Sequence, residues 1–157
     1  MRFVVVLGIA AIVFVSSATS AASVEELFQQ FELFGTWAAD CNKPATPANP
    51  HVSIAMPSPG LVLEEHNLGP DFAVNHYSVL SAERLSATSL SVNVIFQPGT
   101  EGEERQNLIF SVRDNTRRTI FNQPEGGGAV RVKDGVALAR GTKTPLLRKC
   151  EENGVSH

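Results

Sequence analysis

Ser89-Leu90-Ser91-Val92-Asn93-Val94-Ile95-Phe96-Gln97 is the stretch of this 157-residue chain that most clearly indicates its fold. Apolar side chains recur at every second position from Leu90 to Phe96, and Pro98-Gly99 then breaks the pattern. Successive side chains of a β-strand point to opposite faces, so the alternation predicts a strand with one face against a hydrophobic core.

Similar short segments occur along the chain from Gly60 onward. Asp114-Asn115 and Asp134-Gly135 separate some of them, and these residue pairs favour tight hairpin turns with positive φ. The connections are too short for the helical crossovers that parallel strands need. The sequence therefore predicts a mainly β fold: a single antiparallel meander, closed as a small barrel or folded as a sandwich. The predicted strands cover residues 61–66, 72–80, 90–96, 104–113, 117–122, 129–133, 136–139 and 146–150.

The residues before these strands have helical periodicity. Apolar residues recur at helical spacing over positions 24–34, Ser23 is a favourable N-cap, and Glu25 and Glu26 stand where the helix dipole favours negative charge. We expect a short amphipathic helix that ends at Gly35, followed by a first strand over residues 36–39.

Residues 42–59 contain five prolines, at positions 44, 47, 50, 57 and 59. Proline lacks the amide donor that a central strand requires. This segment is therefore predicted to be an ordered loop, with at most a brief edge strand at residues 51–55.

The first 22 residues have the layout of a secretory signal peptide. Arg2 precedes an apolar run from Phe3 to Val15, and small residues follow up to Ala22. The run is shorter than the roughly 20 residues that cross a bilayer. We expect a mature protein of residues 23–157 that is periplasmic or secreted, with no membrane span after signal cleavage.

The only two cysteines of the chain are Cys41 and Cys150. Export places them in an oxidising compartment, and they lack the Cys-x-x-Cys spacing of a redox motif. We expect a disulfide between them that closes one domain spanning residues 23–157, a size within the range of a single hydrophobic core.

Gly35-Thr36-Trp37, at the start of the first strand and after a short helix, resembles the signature of lipocalins and other calycin barrels. The resemblance implies that Trp37 closes one end of a barrel and packs beneath a basic residue near the C-terminus, a role open to Arg148 or to another C-terminal basic residue. The block from Phe34 to Pro50, with Gly-Thr-Trp, Asp-Cys and Asn-Pro, also resembles small exported alphaproteobacterial proteins of unassigned activity.

Residue patterns that indicate catalysis or metal binding are missing from the sequence. The histidines, at positions 51, 66, 76 and 157, have no metal-ligand spacing, and no Gly-x-Ser-x-Gly elbow or phosphate-binding loop occurs. Glu64-Glu65 and Glu103-Glu104 are adjacent pairs whose side chains point to opposite faces of a strand, and we interpret them as solvating the sheet. We expect no enzyme activity, no metal and no cofactor.

Charge is unevenly distributed along the chain. Residues 23–100 have a formal charge of about −6 and residues 101–150 of about +4. Arg113, Arg117 and Arg118 surround one predicted turn, so either a basic rim at one end of the sheet or mutual pairing of the two portions is consistent with the sequence. A negative net charge argues against nucleic-acid binding.

These observations favour an exported binding protein over an enzyme, with two alternatives for its partner. In the first, a calycin-like barrel holds a small apolar or amphipathic ligand. In the second, the core is filled and the loops, above all residues 42–59, recognise an envelope macromolecule, as periplasmic accessory or inhibitor proteins do. The candidate ligand-binding residues are Trp37, Tyr77, Phe96, Phe110, Arg113, Arg117 and Arg118.

Overall fold

A computed structural model describes residues 21–151 of the chain. The predicted signal peptide lies outside the described residues, apart from its last two. The described residues form one short helix and eleven strands. They are α1 (Val24–Gln30), β1 (Gly35–Ala38), β2 (His51–Ser58), β3 (Leu61–Asn67), β4 (Asn75–Ser86), β5 (Ser89–Phe96), β6 (Glu104–Arg113), β7 (Thr116–Pro124), β8 (Val132–Lys133), β9 (Val136–Ala137), β10 (Thr142–Lys143) and β11 (Leu147–Lys149).

Eight of the strands form a closed antiparallel barrel, in the order β7-β11-β1-β2-β3-β4-β5-β6, with β6 pairing back to β7. The predicted mainly β meander is thus confirmed, and its closure is that of a barrel. The strands β8, β9 and β10 form a small extension that begins on β7. The edge of β7 therefore has two neighbours, β11 at Thr116–Arg117 and β8 at Phe121–Asn122.

The barrel interior follows the alternation of the sequence. Leu90, Val92 and Val94 of β5 are buried, and their cross-strand partners on β6 include the buried Phe110, Leu108 and Gln106. A register shift between Val79 and Ser81 allows the long strand β4 to keep both Val79 and Ala82 opposite inward residues of β5. The predicted strand over residues 72–80 therefore begins later, at Asn75, and extends further, to Ser86.

The proline-rich segment contains a full barrel strand, so the prediction of a loop with at most an edge strand was wrong over residues 51–58. β2 pairs with β1 on one side and β3 on the other. Pro57 lies within a register shift between Ala55 and Ser58, where the ladder is interrupted. Proline costs least where a bulge already removes a ladder hydrogen bond. The loop itself occupies residues 39–50, between the end of β1 and the start of β2.

The helix α1 begins as predicted and ends early. Ser23 caps it through a reciprocal capping box with Glu26. The last helical residue is Gln30, and Glu32 already has a positive φ of 52°. The amide of Leu33 then donates to the carbonyl of Phe28, which folds the chain towards β1. Leu27 and Phe28 are buried, and the helix lies against β4 at one end of the barrel, the helix end.

Both hairpin turns predicted from sequence adopt the expected backbone. Asp114 and Asn115 have φ of 49° and 58°, and Asp134 and Gly135 have φ of 51° and 73°. Two consecutive positive φ values match the right-handed twist of the flanking strands in a two-residue hairpin. The first turn joins β6 to β7 and the second joins β8 to β9.

The disulfide between Cys41 and Cys150 is present, with 5.6 Å between the Cα atoms. It joins the segments after β1 and β11, which are already neighbours in the barrel. The backbone amide of Cys150 also donates to the carbonyl of Thr36 at 2.8 Å. The predicted bridge is therefore confirmed, and it fixes the two ends of the domain beside each other.

Candidate functional site

A cavity of about 280 Å³ lies inside the barrel, away from α1 and towards the loop end, where β2 begins and β3 ends. Its wall combines apolar and polar side chains. The apolar lining includes Val52, Val79, Val92, Val94, Leu108, Phe110 and Leu147, and the polar lining includes Glu64, His66, Tyr77, Arg117, Arg118, Thr119, Asn122, Arg140 and Thr144.

A buried ion pair crosses this interior. The Arg117 guanidinium donates from Nη1 and Nη2 to Glu64 Oε2 and Oε1, at 3.1 Å and 2.7 Å. The two side chains are only 2% and 6% exposed. Arg117 also stacks over the Phe110 ring, with its Cζ 4.3 Å from the ring centroid. The two hydrogen bonds and the aromatic ring together compensate the buried charges of Arg117 and Glu64.

Glu64 is held in its ionised form. Burial alone would raise the pKa of its carboxyl, but the Arg117 charge and the His66 contact oppose burial and lower the pKa to about 2. His66 Nε2 lies 2.6 Å from Glu64 Oε1. Both carboxylate oxygens are therefore occupied by neighbouring side chains.

Tyr77 packs beside this pair. Its ring centroid is 4.8 Å from that of His66 and 5.1 Å from that of Phe96. Burial raises the pKa of the Tyr77 hydroxyl, and the nearby Glu64 charge raises it further. The phenol therefore stays protonated and can act as a neutral hydrogen-bond donor or acceptor at the wall of the cavity.

A series of hydrogen-bonded polar side chains runs along the inner face of β6 and β7. Arg131 donates to Glu104 at 2.6 Å and 2.8 Å, Gln106 Nε2 donates to Glu104 Oε1 at 2.7 Å, and Asn122 Nδ2 donates to Gln106 Oε1 at 3.0 Å. The hydrogen bond from Arg131 lowers the pKa of Glu104, so its carboxylate accepts and does not donate. We call Glu104, Gln106 and Asn122 the amide relay.

Along one edge, β7 pairs first with β11 and then with β8, and the cavity extends to the place where one pairing gives way to the other. Thr144 Oγ1 donates to the carbonyl of Thr119 at 2.7 Å, and the amide of Gly135 donates to the carbonyl of Ile120 at 3.0 Å. These bonds hold residues 135–144 over β7. Arg118, which is partly buried, lies beneath Gly135: a Cβ at that glycine would stand 3.4 Å from the Arg118 Cδ.

Four of the seven candidate ligand-binding residues line the cavity: Tyr77, Phe110, Arg117 and Arg118. Phe96 lies behind Tyr77. Arg113 and Trp37 lie apart, along a groove at the helix end. The three arginines therefore do not form one basic rim, because alternation along β6 and β7 sends Arg117 inward while Arg113 remains exposed.

Trp37 is buried at the helix end, where it is 1% exposed and its Nε1 donates to the carbonyl of Leu33 at 2.8 Å. The basic residue beside its ring is Lys149, whose Nζ lies 5.7 Å from the ring centroid. Arg148 is exposed and pairs in register with Ala38, so the second of the two predicted options, another basic residue near the C-terminus, describes the structure. Adjacent strand residues face opposite sides, and Lys149 is the one in register with Trp37.

Sequence reasoning missed Glu64, His66 and Asn122 as residues that line the cavity, and Gln106 as a buried polar residue beside them. The interpretation of Glu64 as solvating the sheet is wrong, because Glu64 is buried, and it holds for the exposed neighbour Glu65. Glu64 and His66 share the period-two face of the buried Val62. Strict alternation from Val62 was the signal that would have placed both inside.

Among the described residues there is no cluster of three or more histidine, cysteine, aspartate or glutamate side chains that could hold a metal ion. Within residues 21–151, no helix has the length and apolarity needed to cross a membrane. No family model, no curated protein and no solved structure matches this chain.

Proposed function

We propose that this protein is an exported, non-catalytic binding protein that holds a small amphipathic anion in the cavity of its barrel. The observation that carries the proposal is the cavity of about 280 Å³ with an apolar wall on one side and unpaired basic side chains on another. Such a volume is near the lower end of the roughly 300–1,000 Å³ typical of ligand sites. The ligand is accordingly small.

The apolar part of the ligand would lie against β4, β5 and β6. Val79, Val92, Val94 and Leu108 line that side and contribute only hydrocarbon surface. Burial of an alkyl chain there is favourable by about 0.8 kcal/mol for each methylene group. An aliphatic chain suits this wall better than a fully polar molecule.

The charged part of the ligand would lie near β7 and the segment that covers it. Glu64 neutralises Arg117, whereas no carboxylate of the described residues is within ion-pair distance of Arg118 or Arg140. These two cavity-lining cations leave an excess of positive charge. Guanidinium groups bind carboxylates and phosphates in a planar, bidentate way.

The protonation states of the interior argue for binding over catalysis. The Glu64 carboxyl, with its lowered pKa, stays ionised, and both its oxygens are engaged by Arg117 and His66. The raised pKa of Tyr77 keeps that hydroxyl neutral. General acid–base catalysis needs groups that exchange protons near the working pH. In the described part of the chain, no serine, threonine or cysteine side chain is hydrogen-bonded to His66.

The proposal places the protein in the periplasm or outside the cell. The Cys41–Cys150 disulfide supports this location, because such bonds persist in oxidising compartments. The signal-like first 22 residues are consistent with it.

Isothermal titration with straight-chain carboxylates of four to ten carbons tests the proposal. We expect one chain length to bind best, and Val94→Phe to abolish that binding, because the larger ring fills the cavity. Ile95→Phe is the matched control: Ile95 is the next residue of β5, on the opposite face, and this variant should bind as the wild type does. Equal loss in both variants, or no binding by any carboxylate, would refute the proposal.

A second candidate function is recognition of an envelope macromolecule through the loop at residues 39–50. Asn49 holds this loop: its Nδ2 donates to the carbonyls of Asp40 and Pro44, at 3.0 Å and 3.2 Å. Gly69 packs against the carbonyl of Ala45, where a Cβ would approach to 2.7 Å. The loop at residues 39–50 and the loop between β3 and β4, which contains Gly69, thus form one ordered surface. Phe72, in the second of these loops, is 51% exposed. A Phe72→Ser variant that retained carboxylate binding and lost an envelope partner would favour this candidate.

A further inference from the structure

Two buried polar atoms of the cavity lining have no hydrogen-bond partner among the described residues. They are Arg118 Nε, a donor, and Asn122 Oδ1, an acceptor. An unpaired buried polar atom destabilises the folded state, so natural proteins rarely retain one without a reason. Here the unpaired donor and the unpaired acceptor belong to two residues that line the same cavity.

The orientation of the Asn122 amide is fixed by its neighbours. The Glu104 carboxylate, paired with Arg131, can only accept, so Gln106 must turn its NH₂ group towards Glu104. The Gln106 oxygen then accepts from Asn122 Nδ2. This leaves the Asn122 oxygen, and not its NH₂ group, without a hydrogen-bond partner among the described residues.

The two unpaired atoms belong to residues four apart on β7. At about 3.3 Å for each residue of a strand, their Cα atoms are at most roughly 13 Å apart. A ligand that satisfies both atoms needs an anionic group at one end and a hydrogen-bond donor several bonds away, with an apolar chain between these two groups.

We propose that the cavity selects a hydroxylated aliphatic carboxylate: Arg118 binds the carboxylate, and Asn122 Oδ1 accepts a hydrogen bond from a hydroxyl group further along the chain. This inference rests on the proposed function and makes it more specific. Asn122 is then a specificity-determining residue, and Glu104 is a positioning residue that acts through Gln106.

The test compares ω-hydroxy carboxylates with unsubstituted carboxylates of the same length, from four to ten carbons, by isothermal titration. For the best chain length, we expect the hydroxyl group to improve the affinity of the wild-type protein about 10-fold, the size of one buried hydrogen bond. Arg118→Met should weaken both ligands about 10-fold or more, since the charge contact is common to both.

Two variants test the amide relay. In Asn122→Leu the advantage of the hydroxyl group should disappear, whereas the unsubstituted carboxylate should bind within about threefold of wild type. Glu104→Gln should also reduce the advantage, because a neutral amide no longer fixes the orientation of Gln106. Glu104 is partly exposed, so this variant should fold even if Asn122→Leu does not. Gln123→Leu, whose side chain instead donates to the carbonyl of Gly128, is the matched control and should retain the advantage.

The outcomes separate the two proposals. If hydroxylated and unsubstituted carboxylates bind equally at every length, or if Asn122→Leu and Glu104→Gln both keep the hydroxyl advantage, the inference about Asn122 is wrong while the proposed function stands. If no carboxylate of either series binds to the wild-type protein, both fail.

Discussion

Glu64 illustrates at the scale of single residues how the interior of this barrel controls charge. Its carboxylate is buried, yet it accepts two hydrogen bonds from Arg117 and contacts His66. Burying an ion costs several kcal/mol unless a partner and hydrogen bonds compensate. The contribution of Glu64 to stability therefore depends on Arg117, and the reverse is equally true.

Replacement of Glu64 by glutamine tests this dependence. Glu64→Gln leaves the Arg117 charge buried without its counter-ion, and we expect the free energy of unfolding to fall by about 3–5 kcal/mol. Urea denaturation measures the change. Glu65→Gln is the matched control, because Glu65 is 52% exposed and should change stability by less than about 0.5 kcal/mol. Equal effects of the two substitutions would contradict a buried pair.

The lowered pKa of Glu64 makes stability depend on acid pH. The carboxyl has a pKa of about 2 in the folded protein and 4.5 as a reference, so between these values the unfolded chain binds the extra proton. The stabilisation is complete above pH 4.5 and is lost as pH falls towards 2. The stability difference between wild type and Glu64→Gln should therefore shrink by about 2 kcal/mol from pH 5 to pH 3. Urea titrations at both pH values measure it, and a constant difference would contradict the assignment.

The sequence predicted part of this residue-level chemistry. Alternation placed Val92, Val94 and Phe110 inward, and Tyr77 and Arg117 were candidates. The pairing of Arg117 with Glu64, 53 residues away, depends on how β3 and β7 face each other across the closed barrel. Local periodicity contains no information about which residues face each other across a barrel.

At the scale of elements, sequence reasoning succeeded where local chemistry decides the structure. The Asp114-Asn115 turn, the Ser23 cap and the β5 alternation all follow from preferences of a few adjacent residues. It failed for β2, because the partners on both sides of that strand override the low strand preference of the proline-rich segment around it. The end of α1 was also misplaced, since packing of Leu33 and Trp37 at the helix end decides it.

The hairpin between β6 and β7 offers a test at this scale. Asn115 has a φ of 58°, a conformation that a β-branched residue rarely adopts. We expect Asn115→Val to lower the free energy of unfolding by about 1–2 kcal/mol and Asn115→Gly to leave it nearly unchanged. Thermal unfolding of the two variants measures the difference. If both variants unfold alike, the positive φ is not a requirement of the turn.

At the scale of the whole domain, two features close the fold: the strand pairing that completes the barrel and the disulfide. Strand β7 closes the barrel against both β6 and β11, and the Cys41–Cys150 bond joins the segments that follow β1 and β11. The sequence predicted the bridge because these are its only cysteines. It left barrel and sandwich open, because closure is decided by pairing between distant strands. The Arg117–Glu64 pair also joins the basic and acidic portions of the chain.

Removal of the disulfide tests the contribution of the second closure. The bond joins residues 109 positions apart, and its loss should lower the free energy of unfolding by about 2–5 kcal/mol. The main reason is that the unfolded chain gains conformational entropy when the bond is absent. Guanidinium denaturation of the Cys41→Ser/Cys150→Ser double variant measures this. The variant should still bind the carboxylate of best length, because neither cysteine lines the cavity. A variant that stays as stable as wild type would contradict a structural role for the bond.

The central claim is that the barrel interior is the binding site, and methyl NMR of valine- and leucine-labelled protein tests it most directly. On titration with the best-binding carboxylate, we expect the methyl signals of Val79, Val92, Val94 and Leu108 to shift, since these residues line the cavity. The signals of Leu61 and Leu85, which are exposed on the outside, should stay in place. Shifts confined to exposed methyl groups, or no shifts with any chain length, would contradict an interior ligand site.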